Sequence, residues 1–249
     1  MNTYNILNQP FRKYFGILFV ILIISNKIFS QTNLYSKLNQ EAKGQNIRIT
    51  FTKGKNFNHP LMAFWVTSTD GQYIQTLYVS ESIAKGIYQH GKAKEGKWLP
   101  GEHLHPAALP FWAFSRNIKE DNGIFLPTPQ NPIADAYTGA TPQSNFVIET
   151  KLDNILKGKA IVYFEINQPF DFNDYWHNTK YPDNQEYKNS GQPSIVFGVI
   201  VDFDNPEPEY YLNPLGHGHP AGENGKLFTD LSTLTTALNI VGKIKIEIY

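Results

Sequence analysis

From residue 47 the chain alternates between apolar and polar positions. Ile47, Ile49 and Phe51 are apolar, whereas Arg48, Thr50 and Thr52 are polar, and a period of two predicts an extended strand with one buried face. Residues 243–249 repeat this pattern, with Ile244, Ile246 and Ile248 opposed to Lys243, Lys245 and Glu247. Residues 61–67, 73–79, 145–151, 159–167 and 194–203 are further β-rich runs, which brings the expectation to about seven strands. Helical periodicity is confined to the neighbourhoods of residues 106–116 and 230–238. Asp70-Gly71, between two of the runs, predicts a type I′ hairpin turn, in which both central residues take positive φ. Short runs without βαβ alternation predict an all-β fold, an immunoglobulin-like antiparallel β-sandwich.

Two stretches are too long for economical sandwich connections. Residues 80–144 carry Trp98, His103, His105, Trp112 and Arg116; residues 168–193 carry Phe170, Phe172, Tyr175, Trp176, Tyr181 and Tyr187. Neither a repeat nor a low-complexity linker divides the chain, so residues 31–249 are expected to form one domain with these two insertions. Long loops on a rigid scaffold are where binding groups tend to be placed.

The first thirty residues read differently. Arg12 and Lys13 precede the apolar run of residues 15–24, too short to span hydrocarbon, which takes about 20 residues. A basic start, a short apolar run and a small residue, Ser30, before a polar chain predict an export signal, with a periplasmic or secreted mature protein. The chain has 22 basic and 22 acidic residues; without residues 1–30 the balance is 19 to 22. Near-neutral charge and three arginines (Arg12, Arg48, Arg116) provide no basic stripe for nucleic acid. With no cysteine, thiolate zinc sites, iron–sulfur clusters, disulfide frameworks and cysteine nucleophiles are excluded.

Three constellations carry candidate chemistry. In the run Asp135-Ala-Tyr-Thr138-Gly139-Ala140-Thr141-Pro142, Gly139 permits a tight turn, Asp135 and Thr138 are suited to cap backbone amides, and Pro142 holds Thr141 extended. That reading makes the run the lead-in to the next strand. His103-Leu-His105 and His217-Gly-His219 each place two imidazoles at i and i+2, the same side of an extended segment, and together would suit copper or zinc. Capping of backbone groups in Gly/Pro-rich turns is the alternative for the same histidines. The aromatic stretch from Phe170 to Tyr187, with Asp171, Asp174 and Asp183, suits either a stacking surface for a sugar or flavin, or a loop that pins itself down. Gly-x-Ser-x-Gly, P-loop and His-Glu-x-x-His signatures of an independent enzyme are absent from the sequence.

The octapeptide is similar to the Asp-x-x-Ser/Thr-Gly-Ala-Thr sequence on which flavin transferases esterify FMN through its phosphate. That resemblance implies Thr141 as the acceptor hydroxyl, with Asp135, Thr138 and Gly139 shaping the loop. Arg116 is then expected to pair with the phosphate, and Trp112 or Tyr137 to stack the ring system. The chain also resembles a family of periplasmic proteins known as domain of unknown function twenty-two seventy-one. The matching residues are His59-Pro-Leu-Met-Ala-Phe-Trp-Val66, Asp70-Gly71, Thr76-Leu77, Trp98-Leu99, Phe111-Trp112 with Arg116, and Asp135 to Thr141 running into Phe146. Asn145, Phe146 and Glu149 stand where that family has Gly and Trp. The resemblance implies company with flavin transferases and PepSY-type membrane proteins, in extracytoplasmic redox or metal-uptake traffic. The expected function is therefore an exported accessory or electron-carrier module bearing covalent FMN. A copper-, zinc- or carbohydrate-binding sandwich is the alternative.

Overall fold

The computed structural model describes residues 34–249; the export signal expected over residues 1–30 lies outside them. Thirteen strands and three short helices make up the regular structure of this part. The five-stranded sheet runs in the order β1 (Leu34–Lys37), β8 (Phe146–Lys151), β2 (Asn46–Lys53), β13 (Val241–Ile248), β11 (Tyr210–Tyr211). The six-stranded sheet runs β12 (Asn213–His217), β10 (Ile195–Asp202), β9 (Lys159–Asn167), β3 (Leu61–Ser68), β4 (Tyr73–Ser80), β7 (Thr138–Gly139). A separate hairpin joins β5 (Ile87–Lys94) to β6 (Lys97–Glu102). The chain is thus an all-β sandwich, antiparallel apart from two edge pairings, β1 with β8 and β7 with β4.

All seven expected strands are present. The period-two pattern of β2 and β13 turns Ile47, Ile49, Phe51, Ile244, Ile246 and Ile248 inward, against Met62, Phe64, Val66, Val162, Phe164 and Ile166 of the facing sheet. Phe51 stacks on Phe146 at 4.6 Å and Phe64 on Phe164 at 4.1 Å. β3 lacks alternation because it is buried on both faces. Its even positions enter the inter-sheet core, whereas Leu61, Ala63 and Trp65 belong to a second core on the outer side.

That second core is built by the first insertion. Ile83 and Ala84 of α1 (Glu81–Lys85), Trp112 and Ala113 of α2 (Pro110–Ser115), and Leu126 pack on β3 and β4. The helical expectation near residues 106–116 is met by α2; around residues 230–238 only a single 3-10 turn, Ala237–Asn239, forms. The Asp70-Gly71 hairpin is present but its turn differs from the expected type I′. Only Gly71 has positive φ, at 90°, and Ser68 and Gln72 close a three-residue loop through a 2.8 Å bond from Ser68 N to Gln72 O. The Ser68 hydroxyl supplies a further anchor, donating to Asp70 and accepting from Gln72 N, so the side chain selects a longer loop than the Asp-Gly pair alone suggests.

Candidate functional site

Strand β7 places the Thr-Gly-Ala-Thr segment at the edge of the six-stranded sheet. Thr138 pairs with Val79 and is 8% exposed, and Gly139 pairs with Ser80. The buried Tyr78 hydroxyl lies 3.3 Å from both Gly139 O and Ala140 O, fastening the backbone from below. Thr141 follows the ladder and is half-buried. Its carbonyl accepts from Gln143 Nε2 at 3.0 Å, and its hydroxyl makes no hydrogen bond among the described residues. Asp135 is exposed and pairs with Lys85 Nζ at 3.3 Å, while Lys85 also holds Glu81 at 2.7 Å. Both carboxylates raise the Lys85 pKa, chiefly Glu81. The Tyr137 hydroxyl donates to Asp153, 2.8 and 2.9 Å from its two oxygens. Burial first, and the Asp153 carboxylate second, push its pKa up to about 12. Asp153 in turn lines a cleft of about 350 Å³ with Ile74, Gln75 and residues 152–156.

Two of the expected flavin contacts lie inward. Trp112 is fully buried, its Nε1 bonded to Thr76 Oγ1 at 3.0 Å, so its ring is part of the outer core and not an open stacking face. Arg116 is 7% exposed, donates from Nη1 to Phe125 O at 3.3 Å and lies 5.1 Å from the Trp112 ring centroid. Burial lowers its pKa. No carboxylate forms an ion pair with Arg116 among the described residues, and Tyr73 is close enough to act electrostatically on both Arg116 and Tyr137. At the loop itself the adjacent cation is Lys85.

The His-x-His pairs remain separate sites. The His103 and His105 ring centroids lie 4.2 Å apart, and Tyr88 meets His105 edge-on at 4.7 Å. His217 is buried, stacks on Phe228 at 5.3 Å and donates from Nδ1 to Gly218 O at 2.7 Å. His219 Nδ1 accepts from Ala221 N and Glu223 N at 3.2 and 3.3 Å. The second pair therefore caps its own Gly/Pro-rich turn, as the alternative reading has it. Among the described residues no three His, Asp or Glu side chains are set to hold a metal ion.

Where the two insertions meet, the polar chemistry is denser. β9 turns its odd residues outward, and there Glu165 is completely buried. Its carboxylate accepts from Phe111 N at 3.2 Å, Trp112 N at 2.7 Å and Ser194 Oγ at 2.5 Å, so it caps α2, whose own preceding residue, Leu109, provides no side-chain cap. Burial raises the Glu165 pKa to about 7 against the opposing pull of those three donors. Two positions along, Asn167 donates to Ser190 Oγ at 2.8 Å and Gln192 O at 3.1 Å, joining β9 to the second insertion. α3 (Gln185–Ser190) starts at Asn184, whose side chain accepts from Tyr187 N at 2.9 Å. The aromatic stretch folds under in part: Tyr187 and Trp176 are buried, and Phe170, Tyr175 and Tyr181 stay exposed.

A narrow cleft, with room for little more than one water molecule, separates the insertions and is lined by His105, Asn167, Glu186, Asn189 and Ser190. Tyr88 stands edge-on to His105, one of its walls. Burial, with His103 adding to it, pulls the His105 pKa down to about 4. Gly222 (φ +71) packs the 217–222 turn against Pro106; a Cβ there would lie 2.2 Å from Pro106 O. The sequence signal for Glu165 and Asn167 was their shared outward phase on a strand whose inward positions are all apolar. Tyr88 and Glu186 have no such signal, because the β5–β6 hairpin and α3 lie within stretches without a readable period.

No protein-family model, curated protein or solved structure matches the chain. Among the described residues no helix is long and apolar enough to cross a membrane.

Proposed function

We propose that this chain is an exported accessory module of an extracytoplasmic redox system, carrying FMN as a phosphoester on Thr141. The contrast between the two threonines of the motif carries the reading. Thr138 is buried in the β7–β4 ladder, whereas Thr141 lies just past it, half-exposed, with a hydroxyl unengaged among the described residues. A transferase needs such a hydroxyl at a surface, on backbone that does not have to unfold to present it. Attachment forms a bond from Thr141 Oγ1 to the phosphorus of FMN; the hydroxyl proton is lost, and the other nucleotide of a flavin dinucleotide donor leaves with the electrons of the broken P–O bond. Lys85 supplies positive charge beside the loop, and Asp135, held by Lys85, keeps the turn in place. The cleft beside Tyr137 and Asp153, with Ile74 and Ile155 exposed at its edge, offers an apolar surface for a planar ring system. Bound flavin would supply one- and two-electron transfer, with a flavin transferase and a PepSY-type membrane protein as partners.

Coexpression with a flavin transferase, followed by intact-mass measurement and an absorption spectrum, tests this. The expected result is a yellow protein whose mass rises by one FMN, and a Thr141→Ala variant that folds normally but stays colourless. An unmodified wild-type mass, or flavin retained by Thr141→Ala, overturns the assignment.

A further inference from the structure

We infer that the cleft between the two insertions binds a small primary ammonium group, held by the Glu186 carboxylate, the Tyr88 hydroxyl and the His105 imidazole. The starting observation is a pair of orphaned atoms. Tyr88 Oη and Glu186 Oε2 are both shielded from solvent and neither has a hydrogen-bond partner among the described residues; Ser82 lies near the Tyr88 oxygen without making a bond of acceptable geometry. Buried polar atoms left unpaired in this way cost about 1–3 kcal/mol each, and native folds rarely retain them without something to satisfy them. The two residues are linked through His105, which is in edge contact with Tyr88 at 4.7 Å and lines the same cleft as Glu186; the Glu186 charge also acts on Tyr88.

Charge and shape narrow the ligand. Glu186 has no basic partner among the described residues, and burial alone raises its pKa, so an incoming cation relieves a buried acid. The depressed pKa of His105 keeps its ring neutral, leaving one nitrogen as an acceptor. Glu186 Oε2, Tyr88 Oη and that nitrogen form an acceptor set matched by the three N–H groups of R–NH3+. A metal ion is a poor match, because among the described residues no three His, Asp or Glu side chains converge there. An ammonium head is close to a water molecule in size, which suits so narrow a space.

The site is independent of Thr141, so it is tested on protein made without a flavin transferase. Ammonium and methylammonium chloride are titrated against the protein, with tetramethylammonium and potassium chloride at equal ionic strength, and the His105 and Tyr88 ring resonances are followed by NMR. Saturable shifts with ammonium and methylammonium alone are expected. Glu186→Gln should abolish them, Tyr88→Phe should weaken binding about tenfold, the loss of one hydrogen bond to a charged group, and Thr141→Ala should leave them unchanged. No saturable shift, an equal response to potassium, or full binding by a folded Tyr88→Phe variant would overturn the inference; the last outcome would leave water as the occupant.

Discussion

The two faces of the six-stranded sheet are covered by different kinds of material, and strand β9 displays the difference within two residues. Phe164 points into the inter-sheet core, stacked 4.1 Å from Phe64, among side chains supplied by strands of alternating pattern. Glu165 points the other way and is as deeply buried, but its neighbours are backbone amides of α2 and the Ser194 hydroxyl. One face is held by shape and apolar area, which many residues provide interchangeably. The other is held by directional bonds from particular donors, and removing a partner strands the rest. Candidate chemistry collects on the second face because the insertions there bring polar groups into places water does not reach.

Phe164→Ala is the strongest test of the inner face. It removes a ring that also touches Phe51 and Phe197, at 5.9 Å in each case, and the two sheets cannot close fully over the gap. A loss of roughly 4 kcal/mol in chemical denaturation is expected, with the ammonium response retained in the fraction that folds. A loss below about 1 kcal/mol would mean that the sandwich core is not continuous at this point.

Glu165→Ala comes next, with a loss of roughly 3 kcal/mol, because Phe111 N, Trp112 N and the Ser194 hydroxyl are left without an acceptor. Its pH signature separates the two faces. With a folded pKa raised to about 7, Glu165 keeps its proton in the native state after the unfolded chain has lost it. The native state therefore binds more protons between the ordinary glutamate pKa and 7, and stability falls as pH rises through that window. His105 acts in the opposite sense: its folded pKa of about 4 gives stability that is complete above the ordinary histidine pKa and is lost as pH falls toward 4. The Glu165 contribution is isolated by comparison with a variant that keeps His105, since the two groups act in opposite senses around the ordinary histidine pKa. Relative to Glu165→Gln, wild-type protein should lose on the order of 1 kcal/mol between about pH 6 and 7.5, because His105 acts alike in both proteins and drops out of the difference. Parallel pH profiles for the two proteins would refute the assignment.

This contrast also explains what the sequence disclosed. Residues 47–51 and 244–248 predict their strands and inward faces because a two-residue period leaves one arrangement with the isoleucines buried. Residues 61–67 are legible as a strand but not as one buried twice, since the cover over Trp65 comes from α2, some fifty residues on. Trp112 and Arg116 were expected beside a flavin through the resemblance of the octapeptide; instead Trp112 fastens the insertion to β4 through Thr76, and Arg116 ties the insertion to itself through Phe125 O. Glu186 and His105 line one cleft only because two insertions dock on one sheet face, and neither segment carries a pattern that specifies its partner. The β7 edge is intermediate. Gly139 and Pro142 announced a turn, yet the parallel pairing with β4 that fastens Thr138 depends on residues far away in the chain.

The smallest expected effect concerns how the second insertion is fixed to the outer face. Asn184 caps α3 by accepting from Tyr187 N at 2.9 Å, one residue beyond Glu186, and the Tyr187 hydroxyl continues the attachment by donating to His177 O at 2.8 Å. Asn184→Ala removes the cap and leaves that amide without its partner at the start of a helix of only six residues. A loss of about 1 kcal/mol is expected. Because Phe164 and its neighbours bear no part of this helix, hydrogen exchange should quicken at Tyr187 and Lys188 and stay unchanged in β3 and β9. Ammonium binding should weaken with it, since Glu186 rides on the frayed turn, whereas Phe164→Ala lowers global stability without loosening α3 in particular. Uniformly faster exchange across β9 and α3 would show that inner and outer faces unfold as one unit, and that the outer layer is an inseparable part of the sandwich.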